Sequence, residues 1–372
     1  MSAYLTVCTQ LNGYTNCTAA NKFPKLEDGL IGSNLTQQND YLKKLLQPVA
    51  LPGGRVLPSR ILPGPMEGIM TDDYCRTMME FALLPVWITP FIRISHSTPR
   101  TKKLEGRLTP FRPIPIVAQI MGTYREHLAA TAGILSGLHG VLGVELNCAC
   151  SSPTVVRSGS GSAHLRNPEW IRDTLLAMRE AADVGGIGVK IRSGVESPEE
   201  LPRILETIGA ARPDWIVLHY RTAKEMFRSV PDGYRRFEIA RRLLPQTVLF
   251  ASGDMFTCEQ SLEVVRKTAV DGITPARGLM HNPWLIRDIE SVCRGEKPPE
   301  RNVVPFLLRL VELVAESPIW RTGLILEISR NVWGSESECF KSLARDPRPD
   351  AMLKNIRKMN FQHSTSNFEH RI

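Results

Sequence analysis

The sequence predicts an α/β protein: a (β/α)8 TIM barrel followed by a small C-terminal helical domain. From about residue 58 onward, short apolar runs alternate with longer amphipathic stretches. Eight such apolar runs precede residue 275, and most are separated by helical patterns. This alternation favours a closed parallel barrel over a doubly wound open sheet, because the early G-x-G-x-x-G turn typical of the open sheet is absent.

The same alternation places the individual elements of the barrel. Asp or Ser often precedes the helical patterns and would cap them. We expect strands at Arg60–Leu62, Val86–Thr89, Ile116–Gln119, Val144–Asn147, Gly188–Ile191, Trp215–His219, Val248–Ala251 and Gly272–Thr274. We expect helices at Asp72–Phe81, Arg125–Leu138, Pro168–Ala182, Glu199–Ala210, Tyr234–Leu244 and Cys258–Thr268.

Composition divides the chain into three parts. Residues 1–54 are rich in Asn, Thr, Gln and Gly, so we expect an N-terminal extension or cap with one short helix near residues 40–46. Residues 55–296 form the predicted barrel. Pro298-Pro299 marks a linker, and residues 297–372 form a helical domain and tail, with helices expected at residues 303–315, 323–332 and 349–359.

Charge and cysteine usage narrow the class of protein. The formal net charge of +8 is compatible with a polyanionic partner such as RNA, and equally with a basic surface that serves solubility. No apolar run is long enough to cross a bilayer, and the N-terminus lacks a secretory pattern, so we expect a cytoplasmic monomer. The eight cysteines form no C-x-x-C pair, and we predict no metal site.

Polar residues cluster where the predicted strands end. In a parallel barrel all eight carboxyl ends meet at one mouth, where the loops carry the chemistry. Packing alone does not explain Gln, Asn, Lys, His and Arg side chains gathered there. The strand ends are Gly64–Gly68, Thr89–Arg93, Gln119, Asn147–Cys150, Lys190–Arg192, His219–Thr222, Ser252–Asp254 and Ala276–Gly278.

The last two strand ends have the composition of a phosphate site. Small residues such as Gly253 and Gly278 let backbone N–H groups approach a phosphate, and Arg277 supplies positive charge. Lys190 could stabilise negative charge on a flavin ring, and Pro65-Met66 could place a backbone edge and an apolar wall against it. Together these residues indicate FMN.

Each of these residues also has a purely structural explanation. Lys190 could pair with a carboxylate, His219 could be a satisfied core histidine, and Gln119 could bond to backbone. Arg277 could be an ion-pair partner. Cys148, directly at the strand end, is expected to be a packed thiol.

The strand-end segments resemble those of the tRNA-dihydrouridine synthase family, over about residues 58–290. The resemblance implies an FMN-bound barrel with a C-terminal helical domain. It also implies NADPH-dependent reduction of a uridine C5=C6 bond in tRNA. The matching segments are Pro65–Gly68, Val117–Gln119, Glu145–Cys150, Val189–Arg192, His219–Thr222, Ser252–Asp254 and Ala276–Gly278.

The resemblance also implies a role for each matching residue. Cys150 would be the acid that protonates C5 after hydride addition at C6; an ordinary thiol, with a pKa of about 8.5, holds its proton at neutral pH. The uridine would leave its stack to enter the mouth. The FMN site would be lined by Pro65, Met66, Glu67, Gln119, Lys190, His219, Ser252, Gly253, Asp254, Ala276 and Arg277. The RNA or target base would be faced by Arg93, Asn147, Arg192, Arg221 and Thr222.

Several positions depart from the family pattern. A large Tyr220 replaces a glycine and could crowd the cofactor, or it could point into the barrel wall. Two alternatives therefore stay open: a catalytically impaired homologue that binds flavin or RNA, and a flavin oxidoreductase acting on a small pyrimidine. The substituted positions are Ala149, Ser151, Tyr220, Ser252, Asp254 and Ala276.

Overall fold

The computed structural model describes residues 40–369 of the chain, and the strands of the barrel follow the predicted alternation. A short antiparallel hairpin, Val49–Ala50 with Val56–Leu57, precedes them. The parallel strands are Trp87–Ile88, Ile92–Ile94, Ile116–Gly122, Val141–Cys148, Gly186–Arg192, Trp215–His219, Val248–Ser252 and Gly272–Ile273.

The strands form one continuous parallel ladder, and the predicted first strand contributes a single bridge to it. Each strand from Trp87–Ile88 to Gly272–Ile273 pairs in parallel with the next one along the barrel. The second strand resumes as Ile92–Ile94 after an interruption at Pro90, which has no N–H to donate. Ile61 forms a parallel bridge with Ile273, which joins the predicted first strand to the eighth.

Residues of the hairpin region pack into one end of the barrel interior. Leu51 and Leu57 of the hairpin region belong to the same buried cluster as Leu62, Ile88 and Phe250 from the strands. The hairpin therefore caps the end of the barrel opposite the strand carboxyl ends. The predicted extension before residue 40 lies outside the described residues.

Trp215 lies inside the barrel across two neighbouring strands. Its indole ring occupies the space above Gly143, Gly186 and Gly188, where a Cβ atom would lie 2.8, 2.4 and 2.0 Å from ring atoms. The three glycines thus provide the room that a branched residue would fill in an ordinary barrel layer.

Helices cover the outside of the barrel close to their predicted positions. Their apolar faces and those of the strands form one extended core, which also includes the C-terminal helices. No helix within residues 40–369 combines the length and apolar character needed to cross a bilayer. The barrel helices are Asp72–Glu80, Thr101–Leu108, Arg125–Ser136, Pro153–Arg157, Pro168–Ala181, Leu201–Gly209, Gly233–Leu243, Cys258–Thr268, Gly278–His281 and Leu285–Cys293.

The C-terminal helices pack onto the first helix of the barrel. Phe306 makes edge contacts with Tyr74, Phe81 and Trp284, at ring-centroid distances of 6.3, 5.6 and 5.9 Å. Arg309 donates to the Glu80 carboxylate at 2.6 and 3.1 Å beside this aromatic cluster. The helices are Val304–Glu316, Thr322–Trp333, Glu338–Arg345 and Pro349–Glu369.

Five helices within the described part of the chain were not predicted by the periodicity. Thr101–Leu108 buries only Leu104 and Leu108, which is too few apolar residues to give a helical pattern in the sequence. Of the other four, two span only four and five residues, and two span eight and nine residues. They are Pro153–Arg157, Gly278–His281, Leu285–Cys293 and Glu338–Arg345.

Candidate active site

The predicted strand-end residues meet at the mouth of the barrel. Lys190 Nζ donates to Ser252 Oγ at 3.2 Å, which joins the fifth strand to the seventh. Arg277 and Arg221 both donate to Asp254. The charges of Lys190 and Arg277 both act on His219. The fold therefore gathers residues that are up to 87 positions apart in the sequence (190 to 277).

The loop that carries Cys150 is fixed by the side chain of Asn147. Asn147 Oδ1 accepts the backbone N–H groups of Ala149 at 2.9 Å and Cys150 at 3.0 Å. On the other side, Ser162 N–H donates to the Cys150 carbonyl at 2.9 Å. Gly161 approaches so closely that a Cβ there would lie 2.5 Å from the same carbonyl oxygen. The glycine- and serine-rich segment 158–162 is thus the outer support of this loop.

Cys150 is a half-buried thiol that keeps its proton at neutral pH. Burial raises its pKa, and the Ser152 backbone N–H and the charges of Arg192 and Arg93 only partly oppose the rise. Glu67 also lies close enough to raise the pKa of this thiol. A protonated thiol is suited to donating a proton rather than to nucleophilic attack.

Cys148 differs from Cys150 in its complete burial, and among the described residues no charge opposes the effect of burial on its pKa. Its side chain is fully buried in the core, and burial raises its pKa. This is the packed thiol that the sequence predicts.

A chain of buried polar side chains continues inward from Asn147. Asn147 Nδ2 donates to Gln119 Oε1 at 2.7 Å, and Gln119 Nε2 donates to Glu145 Oε1 at 2.6 Å. Trp215 Nε1 donates to the other oxygen, Oε2, at 2.8 Å. All four side chains are at most 6 % exposed, so each hydrogen bond replaces one to water.

Lys190 lies beside this chain and reaches into the mouth. Its register partner on the neighbouring strand is Asn147. Burial lowers the pKa of its ammonium group to about 8, while the charge of Glu145 opposes the change. Lys190 thus has the carboxylate neighbour considered from the sequence, and its Nζ also reaches Ser252 at the seventh strand end. Its role at a flavin ring stays a prediction.

His219 is a neutral imidazole with one defined tautomer. Its Nδ1 accepts the Arg221 backbone N–H at 3.1 Å, so the ring hydrogen resides on Nε2. Burial and the surrounding charges of Arg192, Lys190, Arg221 and Arg277 hold its pKa well below the usual value. The mouth therefore contains an uncharged donor among three arginines and a lysine.

Asp254 is clamped by two arginines. Arg221 donates to both carboxylate oxygens, at 2.9 and 2.5 Å, and Arg277 donates to one at 2.6 Å. Burial works to raise the pKa of Asp254, but the two arginines outweigh it and hold the pKa below its ordinary value. The guanidinium of Arg277 also stacks near Phe227 and Phe256, at 4.9 and 5.2 Å.

The residues expected on the RNA side differ in exposure. Arg192 is 5 % exposed, and its guanidinium donates to the carbonyls of Ala149 at 2.8 Å and Thr222 at 2.9 Å. Arg221, Thr222 and Asn147 are also buried. Arg93 is exposed and donates to Ser158 Oγ at 2.7 Å. The buried members hold the loops of the mouth, and Arg93 faces solvent.

Tyr220 points into the barrel wall, which is the second of the two possibilities considered for it. Its ring packs edge-on against Phe237 at 6.0 Å. Gly233 and Gly253 lie directly beside the ring, since a Cβ at either position would be 2.8 or 2.1 Å from ring atoms. The side chain therefore packs between the seventh strand end and helix Gly233–Leu243.

Sequence reasoning did not single out Glu145, Trp215, Phe227 or Phe256. A signal existed for Glu145, because its spacing of two from Asn147 places both side chains on one face of the strand. Trp215 was expected only as a strand residue. The two phenylalanines lie in loops, where sequence spacing does not indicate contact.

A sequence model of the family described as Dihydrouridine synthase (Dus) matches residues 61–317. The tRNA-dihydrouridine(16) synthase of Escherichia coli O157:H7 is 28% identical over 275 residues, which cover 71% of this chain and 84% of that protein. The protein of the same name from Vibrio cholerae serotype O1 is 27% identical over 269 residues, 68% of this chain and 80% of that protein.

Two solved structures share the fold. Histamine dehydrogenase from Rhizobium sp. 4-9 superposes with a TM-score of 0.53 at 14% identity, covering 73% of this chain and 51% of its own. A 2-naphthoyl-CoA reductase complex gives a TM-score of 0.53 at 11% identity, covering 68% and 53%. The chain spans about half the length of each. With the family match over most of the barrel and the first helix beyond it, the chain belongs to the dihydrouridine synthase family of TIM-barrel oxidoreductases.

Proposed function

We propose that this protein reduces the C5=C6 bond of a uridine in tRNA, with FMN as bound cofactor, NADPH as reductant and Cys150 as the proton donor. The observation that carries the proposal is the protonated, half-buried thiol of Cys150 at a mouth lined by Lys190, His219 and Arg277. Family membership supports the substrate class.

The donor set at the mouth fits a flavin mononucleotide. Lys190 and neutral His219 offer N–H groups suited to the carbonyl oxygens and nitrogens of the ring. Gln119 is fully buried and its amide is bonded to Asn147 and Glu145, so in our proposal it acts through these neighbours. Arg277, one-third exposed and oriented by Asp254 and two phenylalanines, is placed to bind a phosphate. The FMN site would also include Pro65, Met66, Glu67, Ser252, Gly253 and Ala276. When bound and reduced, the flavin supplies hydride to C6 of the uracil.

Cys150 would complete the reaction by releasing its Sγ proton to C5. Burial keeps the proton on sulfur until negative charge develops on the base. The two backbone bonds to Asn147 and the Arg192 bond to the Ala149 carbonyl fix the position of the thiol. Arg192 and Asn147 therefore act in our proposal by holding the loop.

The RNA would approach over the outer rim of the mouth. Arg93 is exposed next to the Cys150 loop and can pair with a phosphate. Trp320 is 60% exposed in the loop before helix Thr322–Trp333. Burial raises the pKa of Asp73, and the charge of Arg321, the neighbour of Trp320, lies close enough to oppose that rise. An exposed aromatic ring beside arginine is a surface on which a base can stack.

Mass-spectrometric mapping of dihydrouridine in tRNA from a deletion strain tests the proposal. We expect one site to be lost, restored by the wild-type protein and left unrestored by Cys150→Ala. Because the bacterial relatives are named for position 16, that position is the first to inspect. Unchanged dihydrouridine at every site, or a purified protein that takes up no FMN, would reject the proposal.

A further inference from the structure

We propose that Glu145 sets the direction of a hydrogen-bond relay through Gln119 and Asn147, and that this direction holds the Cys150 loop in its reactive position. Glu145 and Gln119 would then be positioning residues, acting through the backbone of the loop. The catalytic meaning of the relay rests on the function proposed above, but its geometry does not.

The relay has only one consistent direction, fixed by its outer end. Asn147 Oδ1 accepts two backbone N–H groups, from Ala149 and Cys150. The Asn147 amide can therefore face Gln119 only with its NH₂ group, as a donor.

The same reasoning fixes the next two members. Gln119 accepts from Asn147 through Oε1, so its remaining amide group, Nε2, faces Glu145 as a donor. Glu145 must then accept at Oε1, and it accepts from Trp215 at Oε2. A group at position 145 that accepts on both sides is a carboxylate, and no neutral amide can replace it.

Three neighbours of Glu145 favour an acceptor at this position, against the effect of burial. Glu145 is fully buried, and burial raises the pKa of its carboxyl. The charge of Lys190 and the two N–H donors oppose that rise. Buried and fully bonded networks of this kind specify one arrangement, because any reversed member leaves two donors or two acceptors facing each other.

Glu145→Gln should therefore reverse the whole relay while changing almost no volume. Trp215 still donates to the side-chain carbonyl oxygen at position 145, so the new NH₂ group there donates to Gln119 and turns its amide round. Asn147 then has to accept from Gln119, and its NH₂ group faces the N–H groups of Ala149 and Cys150. We expect faster amide exchange at those two residues, by about tenfold or more, and a fall in kcat of about a hundredfold.

Asn147→Asp should lower kcat from the other end, through repulsion within the relay and not through loss of the acceptor for the loop N–H groups. Aspartate accepts the two loop N–H groups but also faces the Gln119 carbonyl, so two acceptors meet. This variant adds negative charge next to Lys190, whereas Glu145→Gln removes it. A loss in both variants would thus exclude the explanation that Lys190 merely needs a counter-charge.

The double variant Glu145→Gln/Asn147→Asp should restore the loop. Every donor then meets an acceptor in the reversed direction, and one carboxylate remains beside Lys190. We expect kcat and amide exchange at Ala149 and Cys150 to return to within about tenfold of the wild type, a strong positive coupling between the sites. Trp215→Phe, which removes one donor without reversing the relay, is the matched control and should lower kcat less than about threefold while lowering Tm.

Hydrogen exchange followed by mass spectrometry, on peptides covering Ala149 and Cys150, needs neither cofactor nor tRNA. The relay is overturned if the double variant is no better than the worse single variant, or if Glu145→Gln keeps wild-type exchange. Should Glu145→Gln fail to fold, Asn147→Asp and its rescue carry the same test. Wild-type protein that forms no dihydrouridine would reject the proposed function and leave the exchange result standing.

Discussion

The two halves of the barrel mouth are held together by different forces. Around the fourth strand, the Cys150 loop is held by two backbone N–H groups that donate to Asn147, and Asn147 in turn donates to Gln119. Around the sixth to eighth strands, Asp254 joins two arginines, and Arg236 pairs with Glu225. Hydrogen bonds of side-chain amides define an orientation and respond little to salt. Ion pairs hold a charged group in place and respond to pH and ionic strength. The difference matches the tasks proposed for each side: aiming one proton, and holding one phosphate.

The largest expected effect tests the first side. Cys150→Ala should lower dihydrouridine formation by at least about a hundredfold, because it removes the only proposed proton donor, while leaving the fold intact. Single-turnover assays by nucleoside mass spectrometry measure this. The control Cys148→Ala opens a small cavity in the core, and we expect a loss of about 1 kcal/mol in the free energy of unfolding with activity largely kept. Equal activity in both variants would contradict the separation of the two thiols.

The second prediction concerns the charged side. Asp254→Asn leaves the Arg221 guanidinium buried without its full counter-charge, and we expect a loss of about 2 kcal/mol in unfolding free energy, discounted for the one-third exposure of Asp254. Urea denaturation measures it, and FMN affinity should fall as well. Glu169→Gln, which breaks an exposed ion pair with Arg203, is the control and should leave the urea midpoint close to that of the wild type. Similar urea midpoints for the two variants would contradict the larger contribution to stability expected from Asp254.

A third prediction tests the packing of Trp215, which donates to Glu145 at the inner end of the relay. Gly188→Ala places a methyl group 2.0 Å from the Trp215 ring, and we expect a loss of about 2 kcal/mol in unfolding free energy. Gly106→Ala, in an exposed helix with open space around the added atom, should instead gain about 0.5 kcal/mol. Thermal denaturation compares the two. A neutral Gly188→Ala would mean that Trp215 moves freely and does not define the lower end of the relay.

The fourth prediction separates the two sides by pH. His219 has a lowered pKa, so the folded protein stays unprotonated there while the unfolded chain takes up a proton below about pH 6.5. Stability should therefore fall as the pH decreases from about 7.5 to about 5.5. The pKa of Asp254 lies below its ordinary value, so the stability it contributes is lost only as the pH falls further, through its folded pKa.

His219→Gln should make Tm depend less on pH in that range, measured against the wild type by calorimetry. His164 and His281 also have lowered pKa values and should keep part of the dependence. An unchanged slope in the variant would contradict a neutral His219.

The smallest expected effect lies outside both sides. Trp320→Ala should weaken tRNA binding about fivefold at constant salt, because a stacking surface is lost, without changing kcat. Leu176→Ala removes an exposed apolar side chain from helix Pro168–Ala181 and serves as the control, with no change expected. Fluorescence anisotropy with labelled tRNA measures both. Equal affinities would place the RNA surface elsewhere on the rim.

The sequence was sufficient to locate the mouth, because strand order alone brings the carboxyl ends of parallel strands together. Lys190, His219, Ser252 and Asp254 were expected there and are joined there by hydrogen bonds or charge. It was not sufficient to distinguish a side chain that faces the ligand from one that holds a loop. Arg192 looks like a ligand-binding arginine in sequence, and only the carbonyls around it reveal the difference.

The interior contacts of Trp215 were beyond sequence reasoning for a related reason. Its ring covers glycines 27, 29 and 72 positions earlier in the chain, at 188, 186 and 143, and no local spacing connects them. A glycine in a strand ordinarily weakens it, so three of them would count against the strands rather than indicate a buried indole.

The packing of Trp215 against three glycines restricts the order in which substitutions can accumulate in evolution. Any residue larger than glycine at positions 143, 186 or 188 meets the indole, whereas a smaller residue at 215 leaves a void that later substitutions can fill. The permitted mutational path is therefore ordered: the tryptophan has to be lost before the glycines can vary. Homologues that keep an aromatic residue at position 215 should keep all three glycines. Homologues that lack it should vary at positions 143, 186 and 188.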